Sequence, residues 1–478
     1  MNMRKTKIIC TLGPAVDHAE TIERLIRTGM NAARFNFSHG SHAEQLARLN
    51  MFKKVRDTLG APVATILDTK GPEIRIKTFA DGPVTLEQGQ GFILTTDDVP
   101  GDGRRVSVTY ANLHKEVGPG CRILVDDGLI ELRVQKVEGH EIHCEVENGG
   151  PLSSNKSINI PDVHILLPSL TDKDREDLKF AVDNDFDFIA ASFVRKASDV
   201  EDIRAELRKH GGDNIRIIAK IENREGVENL EGIIAASDGI MVARGDLGVE
   251  IPAHEVPILQ KKMIKATIRA GLPVITATQM LDSMIRNPRP TRAEVSDVAN
   301  AVFDGTSCVM LSGETASGKY PIEALSTMVN TVTAAEEAID YWGRFRERSL
   351  LPVVSGISDA ITQSCCLTAM DLNASAILAA TRSGYTAKVI SRFRPACPIV
   401  ALCQNESTRR QLAISWGVHP YLSGEVDSTD RMFSLAVDVA RKENAVQIGD
   451  TVAITAGAPL GQSGATNLTK DQIVEGGL

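Results

Sequence analysis

The chain of 478 residues is long enough for about three domains, which excludes a small scaffold held together by disulfides. A formal net charge of −9, from 53 Lys and Arg against 62 Asp and Glu, excludes a general electrostatic affinity for nucleic acid or anionic membranes. Because no apolar stretch reaches ~20 residues, no signal-peptide pattern is present and the eight cysteines lack metal-binding spacing, the sequence predicts a cytoplasmic protein with reduced thiols.

Eight short apolar segments recur along the chain with amphipathic segments of helical length between them. This alternation is typical of strand–helix units around a parallel sheet, and eight such units predict a TIM barrel. Thr171 is the predicted N-cap of a helix over 171–184, and another helix is predicted over 252–271. The predicted barrel strands are 5–12, 32–37, 62–68, 186–193, 215–222, 238–244, 273–279 and 308–314.

About 100 residues separate the third and fourth predicted strands, where a single helix would fit. Alternating apolar and polar residues in ELRVQKV and EIHCEVE, with glycine turns at 127–128 and 138–139, predict antiparallel hairpins. Loops that follow barrel strands lie at the C-terminal face, where barrel active sites are built. The insertion is therefore predicted to be an all-β module that covers the barrel mouth as a lid.

After about residue 345 the pattern changes to helices and strands in the order of an open α/β sheet. A helix is predicted over 358–373, with strands at 376–381, 398–403 and 450–455 and a further short strand between the last two. This part of the chain is predicted to form a separate α/β domain.

Polar and charged side chains collect at the C-terminal ends of the predicted barrel strands. Neighbouring strands are ~4.8 Å apart, so these side chains converge on one small volume. They are Arg34, Asn36, Ser38, Asp68, Thr69, Ser192, Lys220, Glu222, Asp246, Thr278, Ser312 and Glu314.

Glu222 and Asp246 come from adjacent predicted strands and can share one hard cation such as Mg²⁺. Lys220, on the same strand face as Glu222, would then point at a bound anion, with Arg34 closing from the second strand. The alternative is a Lys220 salt bridge that only fills the barrel mouth. Gly245 forms a turn before a short helical stretch whose N–H groups can hold a carboxylate or phosphate.

A second oxygen-rich cluster is formed by side chains at the ends of the second and third predicted strands. Its members are Asn36, Ser38, Asp68 and Thr69. Oxygen ligands of this kind bind a further cation or serve as ordinary strand-end caps, and the residues by themselves leave both interpretations open.

The chain resembles the pyruvate kinases over essentially its whole length. The resemblance is carried by TLGP, RFNFSHG, LDTKGPEIR, ASFVRK, KIEN, MVARGDLGVEIP, TATQMLDSMIRNPRPTRAEVSDVANAV and MLSGETASGKYP, in matching order and spacing. It implies phosphoryl transfer from phosphoenolpyruvate to ADP, giving ATP and pyruvate, in the final step of glycolysis. It further implies an allosterically regulated homotetramer of the bacterial, K⁺-dependent type.

The same resemblance implies three domains. A TIM-barrel catalytic domain covers 1–70 and 170–345, an inserted small β-barrel lid domain covers 71–169, and an α/β allosteric domain covers 346–478.

The resemblance also implies roles for the residues at the barrel mouth. Lys220 stabilises the transferring phosphoryl group, and Arg34 contacts it and binds substrate. Glu222 and Asp246 bind Mg²⁺ or Mn²⁺. Gly245, Asp246 and Thr278 bind the substrate, and Thr278 relays a proton from water, because a threonine hydroxyl is a poor acid.

In the family, positions matching Asn36, Ser38, Asp68 and Thr69 correspond to K⁺ ligands, which decides the role of the second cluster. Glu73 stands where members that work without K⁺ tend to carry a lysine, so K⁺ dependence is predicted.

Three residues resemble nucleotide-contacting positions of the family: Arg75, His39 and Lys156. For His39, in a glycine turn, a capping histidine is the alternative. The chain departs from the family at Ser157 and Asp162, which replace glycines near the exit of the inserted module. Both changes restrict the backbone, and Asp162 adds negative charge near a nucleotide path.

The segment TRSGYT, between a predicted strand and helix, resembles the family's effector loop. The predicted effector-binding residues are Thr381, Ser383, Gly384 and Thr386, whose hydroxyl and N–H groups suit a phosphate. With GQSGAT (461–466) nearby, a sugar phosphate would bridge two loops. The alternative is a serine–glycine helix entrance without a ligand.

Two other functions compete with this interpretation. A metal-dependent aldolase or lyase that acts on a pyruvate enolate would also pair Glu222 with Asp246, but it would leave the lid, the second cluster and the C-terminal domain unexplained. A non-catalytic sugar-phosphate sensor would be favoured by the loss of Lys220, Glu222, Asp246 or Thr278, all of which are present.

Overall fold

The computed structural model describes residues 3–349, 356–426, 428–459 and 466–475. The fold starts with three parallel strands joined by helices, as expected for alternating apolar and amphipathic segments. These strands are β1 (Lys7–Leu12), β2 (Ala32–Asn36) and β3 (Ala64–Asp68).

Nine strands then form the inserted all-β module. Seven of them form one sheet in the order β4-β12-β8-β9-β10-β6-β7, and β5 pairs with β11. An antiparallel bridge between Ile76 and Val108 joins the edges next to β4 and β7, so the sheet curls into a small barrel. The strands are β4 (Ile74–Arg75), β5 (Val84–Leu86), β6 (Gly91–Thr95), β7 (Arg105–Ser107), β8 (Arg122–Val125), β9 (Ile130–Glu138), β10 (Glu141–Asn148), β11 (Gly150–Leu152) and β12 (Ser157–Asn159).

Five more parallel strands close the large barrel in the order β1-β17-β16-β15-β14-β13-β3-β2. All eight predicted barrel strands are confirmed, and each is between one and four residues shorter than predicted. The added strands are β13 (Phe188–Ala191), β14 (Arg216–Ile221), β15 (Gly239–Ala243), β16 (Val274–Ala277) and β17 (Cys308–Leu311).

The C-terminal sheet has five strands in the order β20-β19-β18-β21-β22. The last strand is antiparallel to β21, and the sequence analysis did not predict it. The strands are β18 (Ala376–Thr381), β19 (Ile399–Cys403), β20 (Val418–Leu422), β21 (Thr451–Gly457) and β22 (Thr466–Ile473).

The helices follow the expected alternation. Thr171 caps α4 as predicted: it accepts a hydrogen bond from the Asp174 N–H in a capping box. The helices are α1 (Ala19–Thr28), α2 (His42–Leu59), α3 (Leu113–Glu116), α4 (Asp172–Asp183), α5 (Ala197–Lys209), α6 (Arg224–Glu228), α7 (Leu230–Ala236), α8 (Arg244–Glu250), α9 (Val256–Arg269), α10 (Arg292–Asp304), α11 (Gly313–Ala316), α12 (Pro321–Glu337), α13 (Tyr341–Ser349), α14 (Ile357–Asp371), α15 (Tyr385–Phe393), α16 (Glu406–Leu412) and α17 (Thr429–Lys442).

The barrel interior is filled by side chains and is not a pore. Ile66, Phe188, Ile218 and Met241 belong to this core, and Ile414 from the C-terminal part joins it. The C-terminal part docks at the barrel floor, where Lys7 Nζ donates to the Val418 carbonyl. The floor is thereby closed, and the opposite mouth stays available for chemistry. Among the described residues, no helix is long and apolar enough to span a bilayer.

Candidate active site

Lys220 lies at the C-terminal end of β14, inside the barrel mouth. Its Nζ is 3.1 Å from Asp68 Oδ1, 2.9 Å from Glu222 Oε1 and 2.7 Å from Ser192 Oγ. Burial lowers the pKa of Lys220, but the carboxylates of Asp68 and Glu222 outweigh burial and hold that pKa above its ordinary value. The lysine therefore keeps its positive charge in a site that excludes most water.

Arg34, at the end of β2, adds a second cation to the mouth. Its Nε donates to Asp68 Oδ2 at 2.6 Å, and its Nη1 donates to Thr11 Oγ1 at 3.0 Å. Burial raises the pKa of Asp68, but Arg34 and Lys220 more than offset that effect and hold it below its ordinary value. Asp68 thus stays ionised and fixes both cations.

Glu222 and Asp246 bring two carboxyl groups together beside Lys220. They lie within hydrogen-bonding reach of each other, and Glu222 Oε2 accepts from the Phe193 N–H at 2.6 Å. Burial raises the pKa of Glu222 to about 7, and it also raises the pKa of Asp246. Adjacent buried carboxylates repel each other unless a proton or a cation lies between them.

The donor set of this pair fits a hard divalent cation. Mg²⁺ takes one or two protein carboxylates and completes its shell with water or substrate oxygens. Among the described residues, no group of three or more His, Cys, Asp and Glu side chains is arranged to hold a metal ion. A cation held by Glu222 and Asp246 would therefore need ligands from water or substrate.

Thr278 and Gly245 lie together at the ends of β16 and β15. The Gly245 N–H donates to Thr278 Oγ1 at 2.7 Å, and that hydroxyl donates to the Ala277 carbonyl at 2.7 Å. The φ angle of Thr278 is +68°, which is unusual for a β-branched residue. Such strain concentrates at functional sites, where the surrounding structure holds it in place.

The four predicted K⁺ ligands lie along the ends of β2 and β3. Asn36 is the register partner of Asp68, and its Oδ1 accepts from the Ser38 N–H at 3.1 Å. Thr69 Oγ1 accepts from the Ser192 N–H at 3.2 Å. The structure thus places these residues side by side, with the Asp68 carboxylate shared by Arg34 and Lys220.

Two of the three predicted nucleotide contacts are neighbours in the inserted module. Arg75 on β4 is the register partner of Ser157, the residue after Lys156. Arg75 Nε donates to Glu73 Oε2 at 2.8 Å, and Lys156 Nζ lies 2.9 Å from Asp126 Oδ1.

His39 is exposed in the loop before α2, outside this pair. Helix α2 is capped by Ser41 in a capping box, so the capping role considered for His39 is wrong.

The two departures from the family pattern each have a partner. Asp162 has a φ of +63°, in the left-handed region that favours glycine, and its Oδ1 lies 2.9 Å from Arg224 Nε. Ser157 Oγ donates to Asp127 Oδ1 at 3.0 Å. A cavity of about 220 Å³ between the inserted module and the barrel is lined in part by Asp162 and Asp246.

The predicted effector loop follows β18 and leads into α15. Gly384, with a φ of +83°, is the N-cap of α15, and Thr381 and Thr386 are buried. Thr386 Oγ1 lies 2.8 Å from Thr466 Oγ1. Residues 461–465 of the expected partner loop lie outside the described residues, so only Thr466 of that loop is placed here.

Sequence reasoning missed several residues that shape the mouth. Arg244 Nη2 donates to the Thr278 carbonyl at 2.8 Å. Glu314, which accepts from the Leu281 N–H at 3.0 Å, and Ser192 were noted at strand ends without a role, and Phe193 was not noted. The position of Ser192 and Phe193 directly after β13 was the available signal.

The fold and the mouth together define a closed barrel of eight parallel strands with buried cationic side chains and adjoining carboxyl groups at its C-terminal face. The family model for the pyruvate kinase barrel domain matches residues 3–325, and the model for the pyruvate kinase alpha/beta domain matches residues 359–470.

Curated relatives agree with the family models. A pyruvate kinase of Clostridium acetobutylicum is 50% identical over 474 residues, 99% of this chain and 100% of the relative. Those of Staphylococcus haemolyticus and Geobacillus stearothermophilus are 50% and 49% identical, and the matches cover 99% and 98% of this chain and 81% and 80% of the relatives. The chain belongs to the pyruvate kinase family and is a phosphotransferase enzyme.

Proposed function

We propose that the protein transfers the phosphoryl group of phosphoenolpyruvate to ADP and releases pyruvate and ATP, the final step of glycolysis. The observation that carries this proposal is the buried Lys220 ammonium held between Asp68, Glu222 and Ser192 at the barrel mouth. A fixed cation of this kind stabilises a phosphoryl group during its transfer, because phosphoryl transfer depends on positioning and charge neutralisation.

The charges of the mouth explain why a divalent cation is needed. Lys220 and Arg34 face three carboxylates, those of Asp68, Glu222 and Asp246, which leaves one formal negative charge. A trianionic substrate would be repelled by that charge. A divalent cation held by Glu222 and Asp246 turns the local charge positive. We assign these two residues to Mg²⁺ or Mn²⁺, which supplies charge neutralisation and polarisation of substrate oxygens when bound.

The remaining mouth residues have roles that follow from their contacts. Arg34 is anchored by Asp68 and Thr11, so its free edge can meet the phosphoryl group. We assign the turn at Gly245 and Asp246 to the substrate carboxylate; the Gly245 N–H, which donates to Thr278 Oγ1 in this structure, would change partner on binding. The strained Thr278 hydroxyl, beside Gly245, relays a proton from water to the enolate carbon.

A monovalent cation completes the proposed site. Asn36, Ser38, Asp68 and Thr69 supply the oxygen ligands that K⁺ would bind at the ends of β2 and β3. Glu73 supports K⁺ dependence, because no ammonium group stands at that position to replace the ion.

We further propose that residues 71–169 act as a lid domain on a catalytic barrel formed by 1–70 and 170–345. We assign Arg75 and Lys156 on the inserted module, together with His39 on the barrel, to the phosphates of the nucleotide. The cavity between the module and the barrel is the space that this lid would close.

Residues 346–478 are proposed to form the allosteric domain, with a sugar phosphate at Thr381, Ser383, Gly384 and Thr386. Support comes from the loop-to-helix geometry, in which Gly384 adopts a left-handed conformation and opens α15.

The homotetramer is proposed from unpartnered apolar surface on the C-terminal domain. Ile357 and Leu367 on α14 are 73% and 44% exposed, and Ile473 on the edge strand β22 is 60% exposed. An apolar helix face beside an open sheet edge is suited to pairing with a second copy. Sedimentation at working concentration tests this, and a monomer would contradict it.

The reaction is tested by measuring pyruvate formation from phosphoenolpyruvate and ADP with Mg²⁺. One assay contains K⁺, and a matched assay replaces it with a bulky organic cation at equal ionic strength. Turnover that needs K⁺ is the expected result. Turnover without K⁺ would contradict the proposed K⁺ site, and no turnover in either assay, with sugar phosphates added, would contradict the proposed reaction.

A further inference from the structure

We infer that Ser192 is a positioning residue for phosphoryl transfer, because its hydroxyl fixes the direction of the Lys220 ammonium. An ammonium group has three N–H donors. In this structure Lys220 Nζ donates to Asp68 Oδ1 at 3.1 Å and to Ser192 Oγ at 2.7 Å, the shorter of the two bonds, and it forms an ion pair with Glu222 Oε1 at 2.9 Å. This inference rests on the proposed function of Lys220.

The Ser192 hydroxyl is itself held in place. It donates to the Thr69 carbonyl at 2.6 Å, while its own N–H donates to Thr69 Oγ1 at 3.2 Å. Because the O–H is used in this way, the oxygen lone pairs are left to accept from Lys220. Ser192 is 7% exposed, so water does not readily take over either bond. The lysine is thereby tied to the backbone of the strand end after β3.

It matters for the reaction that the Ser192 hydroxyl is uncharged. Asp68 and Glu222 already bring two negative charges to Lys220, and a third carboxylate would cancel the attraction for an incoming phosphoryl group. A hydroxyl orients the ammonium without neutralising it. Glu222 is also a proposed metal ligand, so its contact with Lys220 is the one that metal binding would weaken. Asp68 and Ser192 would then hold the ammonium alone.

The backbone after β13 is shaped to place this hydroxyl. Phe193 has a φ of +56°, and its N–H donates to Glu222 Oε2 at 2.6 Å. Consecutive residues therefore fix the lysine and its carboxylate partner. Gly71 packs against the same turn, and a Cβ at Gly71 would lie 2.8 Å from the Ser192 Cβ. Several contacts thus hold the positive φ of Phe193 in place, as expected where backbone strain is maintained for function.

The test compares Ser192→Ala with wild type and with Ser198→Ala, the same chemical change at an exposed serine on α5. Each protein is assayed for pyruvate formation from phosphoenolpyruvate and ADP with Mg²⁺ and K⁺. Phosphoenolpyruvate binding without ADP is measured by calorimetry on the same preparations, and near-identical melting temperatures establish that each variant is folded.

We expect kcat of Ser192→Ala to fall about 10- to 100-fold, because a misplaced catalytic group costs up to ~10²-fold. The phosphoenolpyruvate Kd should change by less than about threefold, since the bulk of the binding site is untouched. Ser198→Ala should match wild type. A kcat within threefold of wild type, or a loss carried by Kd alone, would overturn the inference. An inactive wild type would instead contradict the proposed reaction, so the two failures are distinguishable.

Discussion

Replacing Lys220 by Met removes the fixed cation of the mouth and leaves the barrel backbone unchanged. Methionine is similar in length to lysine, so the main effect of the substitution is electrostatic. Two carboxylates, Asp68 and Glu222, each 1% exposed, then lose their shared partner. Removing one partner of a buried ion pair costs about 3–5 kcal/mol in stability.

Two features of the site reduce this stability cost. Arg34 still pairs with Asp68 at 2.6 Å. Burial raises the pKa of Glu222 to about 7, so Glu222 can take up a proton near neutral pH. We therefore expect a loss of stability near the lower limit, about 3 kcal/mol, and a folded variant.

The loss of turnover should be much larger. A preorganised hydrogen-bond donor contributes about 10²–10³ to kcat, and a charged donor in a water-poor site contributes at least as much. We expect kcat of Lys220→Met to fall at least about 10³-fold. Mg²⁺-dependent binding of phosphoenolpyruvate should stay largely intact, because Arg34 and the carboxylate pair remain.

The assay pairs steady-state pyruvate formation with calorimetric binding of phosphoenolpyruvate in Mg²⁺. Lys220→Arg is the matched control, because it keeps the charge but replaces the compact ammonium with a planar guanidinium. Its kcat should lie between those of wild type and Lys220→Met. An equal loss of binding and turnover in Lys220→Met would refute the role given to Lys220, as would a kcat within tenfold of wild type.

Three further predictions follow. Glu73→Lys should weaken the K⁺ requirement, and an unchanged dependence of kcat on K⁺ would show that Glu73 does not control it. Arg410→Met should lower the free energy of unfolding by about 3–5 kcal/mol, because it removes the cation that lies 2.8 Å from the Asp187 carboxylate, which is 1% exposed. Urea unfolding measures this loss, and a loss below about 1 kcal/mol would contradict the prediction. Burial and then Arg4 lower the pKa of Lys7 to about 7 from its ordinary 10.5. The unfolded chain thus binds one more proton between these values, and stability rises with pH by about 1.4 kcal/mol per unit. In Lys7→Met the free energy of unfolding should no longer rise in this way. If it rises between pH 7 and 9.5 as steeply as in wild type, the prediction is wrong.

The barrel was predictable because its strands are local patterns. A segment such as GIMVA, strand β15, is apolar and buried on both faces, as a parallel strand covered on both sides must be. The antiparallel strand β22, in contrast, has a mostly polar sequence, TNLTKDQI, with only Thr466 fully buried along it. An edge strand exposed on one side gives little hydrophobic signal, which is why it was missed.

The candidate site was likewise predictable from the sequence only in part. That Lys220 and Glu222 share a strand face follows from the two-residue period of a strand. The contact between Lys220 and Asp68 joins residues 152 positions apart, and only the closing of the barrel brings them together. The residues of the mouth could therefore be predicted from the sequence, but the arrangement of Asp68, Ser192 and Glu222 around the ammonium required the structure.

The inserted module and the proposed cation site interact through charge. Asp127 and Glu73, both in the module, interact unfavourably with Asp246 on the barrel. A module that approaches the mouth thus brings the Asp127 carboxylate, and that of Glu73 with its Arg75 partner, toward a site that already holds two adjoining carboxyl groups, and the repulsion between carboxylates opposes closure. A divalent cation between Glu222 and Asp246 would reverse the sign of that interaction. In the proposed function, the ion that would attract the anionic substrate would then also favour the approach of the inserted module, and without metal the carboxylates of the protein would oppose that approach.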